Sequence, residues 1–451
     1  MLKRKITEDL IRWKNDPEKK SLLVKGARQV GKTFIIDDFA KKNYENYIHI
    51  NFELAPKTRN IFAGDLDAAT LTREINYHFN TRIVPEKTLI FLDEIQSCPP
   101  ARTAMKSFTL DKQYDVIASG SLLGLNYRDV PSYPVGYEES MVLHPMDFEE
   151  FLWAMGVDDG KISDAALRLK NKEPLGNAAL NMFDDYFRQF MAVGGMPEAV
   201  KTYARTRDLN QTLIRQRTIA DQYRDDIAKY ASGKDKTTAR LCLDAIPAQI
   251  GQRFNFSEAA GKSNVGRREY GGGLEWLYDS GIIQWCYKVS EPALPLSVNR
   301  RLKIFKLYMW DTGLLTSMME GGPAYSLVRD EGGVNRGKIA ENAVAGILGG
   351  KDTMITYFEK KGNLKVDFIL NIDDQVTAVE VKSGNNTKAK SLDSIMSDAY
   401  KVPRGIKLER TDAYVDEKGV EHYPLFAAAF IFPDKSPHRS WISLDADEKN
   451  S

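Results

Sequence analysis

Two sets of residues in this sequence have the types and spacing to do chemistry. The first is Gly26-Ala27-Arg28-Gln29-Val30-Gly31-Lys32-Thr33, which satisfies every fixed position of G-x-x-x-x-G-K-[ST]. Its glycines let the backbone wrap closely around phosphate oxygens. The loop's N–H groups and the start of the next helix then face the negative charge. Lys32 is expected to reach the β- and γ-phosphates of a nucleoside triphosphate, and the Thr33 hydroxyl to bind Mg²⁺. A second element supports the first. Leu89-Ile90-Phe91-Leu92 runs into Asp93-Glu94, and in a doubly wound sheet ligands sit at the carboxyl ends of the strands. Asp93 is placed to hold the Mg²⁺ shell through water, and Glu94 to orient and polarise the attacking water. Ser119, directly after Val116-Ile117-Ala118, is a candidate sensor of the γ-phosphate. Arg128 and Arg224 are arginine-finger candidates by position only.

The second set lies near the C-terminal end. Lys365-Val366-Asp367-Phe368-Ile369-Leu370 and Val376-Thr377-Ala378-Val379-Glu380-Val381-Lys382 flank the polar turn 371–375. A hairpin centred between Asp373 and Asp374 sets Ile372 against Gln375 and, counting outward, Asp367 against Glu380. Opposed residues share a face with Cβ atoms about 4.5–5.5 Å apart, and alternation adds Lys382 to that face. A slip of one residue would break this alignment. Two carboxylates beside a lysine suit a Mg²⁺ site for phosphodiester hydrolysis: Asp367 and Glu380 would bind the metal, which activates water, while Lys382 positions or deprotonates the nucleophile. Glu341, on a helix before the hairpin, would add a further carboxylate. The bland alternative is a salt-bridge cluster on a half-exposed sheet.

The elements that must hold these residues alternate. Leu22 to Val24, Tyr47 to Phe52, Thr88 to Leu92 and Val116 to Ala118 read as strands separated by helices, which predicts a parallel sheet covered on both faces over residues 1–145. Helical segments follow over 146–232 as a lid and connecting helices. Over 233–326 the order is helix, helix and two alternating strands, Ile282 to Val289 and Leu302 to Trp310, which suits a winged-helix module. Gly271-Gly272-Gly273 is a poor helix interior, each glycine costing about 1 kcal/mol relative to alanine, so a break or a close packing contact is expected there. Residues 327–338 read as a linker, and 337–451 as a final α/β domain. The fold class is α/β.

Composition narrows the function. The formal net charge is +1, so a nucleic-acid partner would need a local basic patch rather than a global field. Cys98, Cys242 and Cys286 are isolated in sequence, and the five histidines are scattered without metal-ligand spacing. A reducing cytoplasm is the simplest compartment. The basic start Met1-Leu2-Lys3-Arg4-Lys5 leads into charged residues, unlike a secretory signal. The longest apolar run, Leu425 to Phe432, is too short to span a bilayer, so no membrane partner is expected.

Several further stretches recur in order: Phe91-Leu92-Asp93-Glu94-Ile95-Gln96, His144-Pro145-Met146-Asp147-Phe148, Gly194-Gly195-Met196-Pro197-Glu198, Trp310-Asp311-Thr312-Gly313-Leu314, Gly337-Lys338-Ile339-Ala340-Glu341, Val366-Asp367-Phe368 and Val379-Glu380-Val381-Lys382-Ser383-Gly384. With the loop Gly26 to Thr33, they make the chain resemble a family of bacterial and archaeal AAA-type ATP-binding proteins that join an ATPase core to a C-terminal domain of unknown function. The last three stretches also resemble the PD-(D/E)xK nuclease superfamily, whose acids and lysine would fall on Glu341, Asp367, Glu380 and Lys382. Some relatives carry an arginine after the glycine corresponding to Gly136, where this chain has Tyr137. The resemblance implies ATP and Mg²⁺ as cofactors and, since AAA-type ATPases commonly act as rings, self-association. The first reading is an ATPase whose nucleotide state gates a DNA-binding, nuclease-like module. The second is a nucleotide switch whose C-terminal domain only binds partners or nucleic acid. A third, a motor remodelling proteins, lacks an aromatic-glycine pore-loop signature.

Overall fold

Thr88–Asp93 and Asp115–Ser121 are buried along their whole lengths, the mark of strands covered on both faces. In the computed structural model, which describes residues 2–121, 136–231, 233–256, 267–331, 335–360, 364–384, 390–397 and 399–435, these strands are central to a five-stranded sheet. The strands are β1 (Ser21–Gly26), β2 (Asn46–Asn51), β3 (Thr88–Asp93), β4 (Asp115–Ser121) and β5 (Glu138–Leu143). All pair in parallel, in the order β2-β3-β4-β1-β5. Helices α1 (Ile6–Asn15), α2 (Lys32–Asn43), α3 (Ala68–Phe79) and α4 (Pro99–Asp111) complete this unit. Asp67 caps α3, its carboxylate accepting from the Thr70 N–H at 2.9 Å. Ile48, Ile50, Leu71, Ile75, Met105 and Phe108 belong to one buried cluster, which joins the two helices to the strands that carry the site.

The chain packs as two compact units, one from Arg4–His144 and the other mainly from Pro145–Tyr278 and from Ile282 onward. The second unit opens with α5 (Phe148–Ala154), whose start is fixed by a reciprocal cap between Asp147 and Glu150. Helices α6 (Asp159–Lys170), α7 (Asn177–Val193), α8 (Pro197–Thr206), α9 (Leu209–Tyr230), α10 (Gly233–Gln249) and α11 (Arg267–Asp279) follow. The triple glycine does not break α11. Instead, a Cβ at Gly273 would lie 2.5 Å from the Ala239 backbone nitrogen, so glycine there permits close approach of α10.

The strands read as a winged-helix hairpin, β6 (Ile283–Val289) and β7 (Arg300–Met309), do pair antiparallel. They do not form a separate module. β6 also pairs in parallel with β8 (Thr356–Lys360), joining β9 (Leu364–Ile372), β10 (Gln375–Val381), β11 (Arg404–Glu409), β12 (Tyr414–Val415) and β13 (Glu421–Pro424) in one eight-stranded sheet, order β12-β13-β11-β10-β9-β8-β6-β7. Alternation along a strand reports its two faces but not which sheet it enters, and that is why sequence placed the hairpin in a different module. Between β7 and β8 lie α12 (Thr312–Met318), α13 (Pro323–Val328) and α14 (Arg336–Gly350).

Two of the quoted stretches meet as a structural lock inside this unit. Asp311, buried, accepts from the Gly195 N–H at 2.6 Å and from the Leu314 N–H at 2.7 Å. A Cβ on Gly195 would sit 2.0 Å from the Met146 carbonyl oxygen, and one on Gly313 would sit 2.3 Å from that of Val193. The glycines are there for backbone contact. Burial pushes the Asp311 pKa up to about 6 in spite of its backbone donors.

Candidate functional site

The loop between β1 and α2 turns on two left-handed residues, Gln29 at φ 64° and Gly31 at φ 93°, and so brings Lys32 to the first turn of α2. Gly26 must be glycine for space: a Cβ would lie 2.3 Å from the Leu143 carbonyl oxygen of β5. Lys32 is buried and folds back on the loop, its Nζ donating to the carbonyls of Gly26 at 3.1 Å and Ala27 at 2.8 Å. Burial lowers its pKa to about 8, against the opposing pull of Glu94 and Asp93. A triphosphate would offer this ammonium stronger acceptors than two carbonyls. Arg28 reaches Glu53 at 3.8 Å.

Thr33 and Asp93 come together across the loop. The Thr33 hydroxyl lies 3.2 and 3.1 Å from the two Asp93 carboxylate oxygens. Asp93 also accepts from Asn51 Nδ2 at 2.8 Å and from the Ser119 hydroxyl, and it lies 3.2 Å from His49 Nε2. Burial alone would raise the Asp93 pKa, but the bonds from His49, Ser119 and Thr33 outweigh it and hold the carboxyl below its ordinary range. Sequence reasoning missed His49 and Asn51. Their signal is positional: on β2 they alternate with buried Ile48 and Ile50, and the parallel register sets His49 beside Phe91 and Asn51 beside Asp93.

Glu94 follows with φ 55° and hydrogen-bonds Gln96. A non-glycine residue in that region carries local strain of about 1–3 kcal/mol. The turn carries the second carboxylate off the strand axis at the sheet edge. Ser119 is fully buried and spends its hydroxyl on Asp93. Arg224 is engaged by Asp221 at 2.9 Å and Asp244 at 3.0 Å, and Arg128 lies outside the described residues. The loop, the ammonium and the adjacent Thr33 hydroxyl and Asp93 carboxylate fit Mg²⁺ and a triphosphate, and Thr33 and Asp93 are the residues that would hold the metal.

The C-terminal acids also converge, though not on open space. The hairpin β9–β10 runs Gln375 against Ile372 through Val379 against Phe368, the register that leads on to Glu380 against Asp367. Asp367 Oδ2 accepts from the Val381 N–H at 3.0 Å. Glu380 pairs with Lys382 at 2.6 Å, and its other oxygen is buried without a partner. Between Glu341 of α14 and Asp367 stands Lys306 of β7, 1% exposed, with Nζ 2.7 Å from Glu341 Oε1 and 3.9 Å from Asp367 Oδ1. The Tyr308 hydroxyl also donates to Glu341 Oε1. Next along the sheet, Lys407 is the register partner of Glu380 and pairs with Glu409 at 2.7 Å, which in turn meets His422 Nδ1 at 2.6 Å. Among the described residues no three His, Cys, Asp or Glu side chains form a group able to hold a metal ion. Of the residues expected to form a metal site, Glu341 and Asp367 have Lys306 standing between them, while Glu380 pairs with Lys382.

Residues 18–152 match the family described as AAA domain. Residues 184–324 and 336–427 each match a domain of unknown function, DUF8612 and DUF4143 respectively. No curated protein matches the chain. Similar solved structures include the Walker-type ATPase PABY2304 of Pyrococcus abyssi, 15% identical, covering 70% of this chain and 96% of that chain at a TM-score of 0.42. The Aeropyrum pernix Orc1 protein in complex with DNA is 13% identical over 72% and 92% at 0.28. AMPPCP-bound DnaA from Aquifex aeolicus is 11% identical over 60% and 86% at 0.29. The family match and the site geometry, not these distant folds, define an AAA-type P-loop domain in the N-terminal unit. No helix among the described residues is long and apolar enough to cross a membrane.

Proposed function

We propose that this protein binds and hydrolyses Mg-ATP and uses its nucleotide state to control the second unit. The observation that carries the reading is the Thr33 hydroxyl set against the Asp93 carboxylate beside a buried Lys32. In this reading Lys32 holds the β- and γ-phosphates, Thr33 and Asp93 hold Mg²⁺, and Glu94 orients the attacking water. Phosphate release from ATP tests it. Glu94→Gln is expected to lower turnover by about 100-fold or more while ATP affinity stays within about threefold; wild-type turnover in that variant would remove Glu94 from the reaction. Self-association belongs to the reading, and sedimentation with and without ATP checks it.

The partner of the second unit is read as nucleic acid. Support comes from a cavity of about 710 Å³ lined in part by Lys288, Arg301, Lys360 and Tyr400, with Glu291 and Glu359 also at its wall, which offers three cations against two carboxylates and a ring for stacking. Arg301→Glu with Lys360→Glu is expected to weaken single-stranded DNA binding at least tenfold by fluorescence anisotropy. Unchanged affinity would rule this cavity out. Two fates of the nucleic acid remain distinct readings: cleavage through Asp367, Glu380, Lys382 and Glu341, supported by the hairpin register, or binding alone, supported by the Lys306–Glu341 pair. The second has the stronger observation.

A further inference from the structure

Three of the acids on or against the C-terminal sheet each have a lysine beside them. Lys306 faces Glu341 at 2.7 Å, Lys382 faces Glu380 at 2.6 Å, and Lys407 faces Glu409 at 2.7 Å. A divalent cation is drawn to clustered carboxylates because their charge is otherwise uncompensated in a low-dielectric interior. Here lysines stand against the acids, with Lys306 shared by Glu341 and Asp367 and one oxygen of Glu380 left without a partner. Lys306 is 1% exposed, and its Nζ reaches Glu341 Oε1, Asp367 Oδ1 and the Tyr308 hydroxyl at 2.7, 3.9 and 3.4 Å. Glu341 also lies against Gly251, where a Cβ would come within 3.1 Å of its Oε2, so the glycine leaves space for the carboxylate beside Lys306. The residues present do not fit a divalent metal.

We propose that the Lys306 ammonium is a built-in cation that occupies the acid site of the C-terminal sheet in place of a divalent metal. The sheet then holds the acids that the sequence resemblance points to but binds no metal between Glu341 and Asp367. Lys306 holds the acids in register, and the unit engages its partner without cutting. This deepens the binding-only reading of the second unit and does not involve the ATP site.

Mn²⁺ titration of the nucleotide-free full chain, followed by electron paramagnetic resonance, tests it. Asp367→Asn and Glu380→Gln are expected to leave Mn²⁺ binding at its wild-type level. Lys306→Ala is expected to gain one Mn²⁺ per chain that wild type does not bind, and adding Glu341→Gln is expected to abolish the gain. A tenfold loss of wild-type Mn²⁺ binding in Asp367→Asn or Glu380→Gln overturns the proposal. So does a Lys306→Ala protein that folds by circular dichroism and gains no site. If Lys306→Ala does not fold, the wild-type comparison still decides. Nucleotide is absent throughout, so failure here leaves the ATPase reading standing.

Discussion

The chain holds two acid sites at sheet edges or faces, and they are finished in opposite ways. Around Asp93 every close partner except one histidine is a neutral donor: Thr33, Asn51 and Ser119. Lys32 points elsewhere, at loop carbonyls. These donors and His49 orient the carboxylate and keep it ionised, and in the proposed reading its remaining charge faces the Mg²⁺ of the nucleotide. Around Glu341 and Asp367 the cation is part of the protein. On the proposed reading, spacing of carboxylates alone does not make a metal site, and what decides is whether the fold supplies the counter-charge itself.

The sharpest way to break the comparison is to remove the ammonium on each side. At the ATP site, Lys32→Ala is expected to reduce ATP affinity by more than about 100-fold, roughly 2.7 kcal/mol, while the circular dichroism spectrum is retained. Calorimetry reads the affinity, and a near-wild-type value would contradict the phosphate contact. The fold should survive because Lys32 neutralises no buried acid by direct contact; its two bonds go to carbonyls.

At the other site the same deletion should strike the fold. Lys306→Met keeps much of the side-chain volume but leaves Glu341 buried and unpaired. Breaking a buried ion pair by removing one partner costs about 3–5 kcal/mol. Burial already pushes the Glu341 pKa up, and Lys306 offsets part of that rise. Denaturant unfolding of Lys306→Met should show the loss, and Lys306→Met with Glu341→Gln should recover most of it. If the double variant is no more stable than the single one, the pair is not the source of the effect.

Much of the first site was legible because its motif is local. Gly26 to Thr33 fixes a loop, and an apolar strand ending in Asp93-Glu94 fixes the opposite wall. His49 and Asn51 were not, since they contribute through a neighbouring strand whose register only the fold reveals. The hairpin register at Asp367 and Glu380 was readable from the turn centre alone. Lys306 was overlooked for a physical reason that leaves a trace. It stands in phase with Ile304 and Tyr308 on β7, and Tyr308 is fully buried. A lysine in phase with a buried position needs a partner from another element. The strands β11 and β13, with Lys407, Glu409 and His422, had no sequence assignment, because their short mixed patterns carry no local motif.

Ser119 gives the smallest expected effect, and it separates positioning from sensing. Its buried hydroxyl donates to Asp93, and that bond is among the causes that hold the Asp93 pKa below its ordinary value despite burial. A depressed carboxyl pKa stabilises the fold above the unfolded value, near pH 4, and the contribution is lost as pH falls through the lower, folded value. Ser119→Ala should therefore cost about 1–2 kcal/mol at neutral pH, with the difference from wild type shrinking as acid protonates Asp93. Denaturant unfolding over a pH series reads this directly. If Ser119 acts only on Asp93, the ratio of ATP to ADP affinity stays at its wild-type value in nucleotide titrations without Mg²⁺, where the Asp93 contact to the metal plays no part. A tenfold fall in that ratio would mean that the hydroxyl leaves Asp93 when nucleotide binds and reads the γ-phosphate itself.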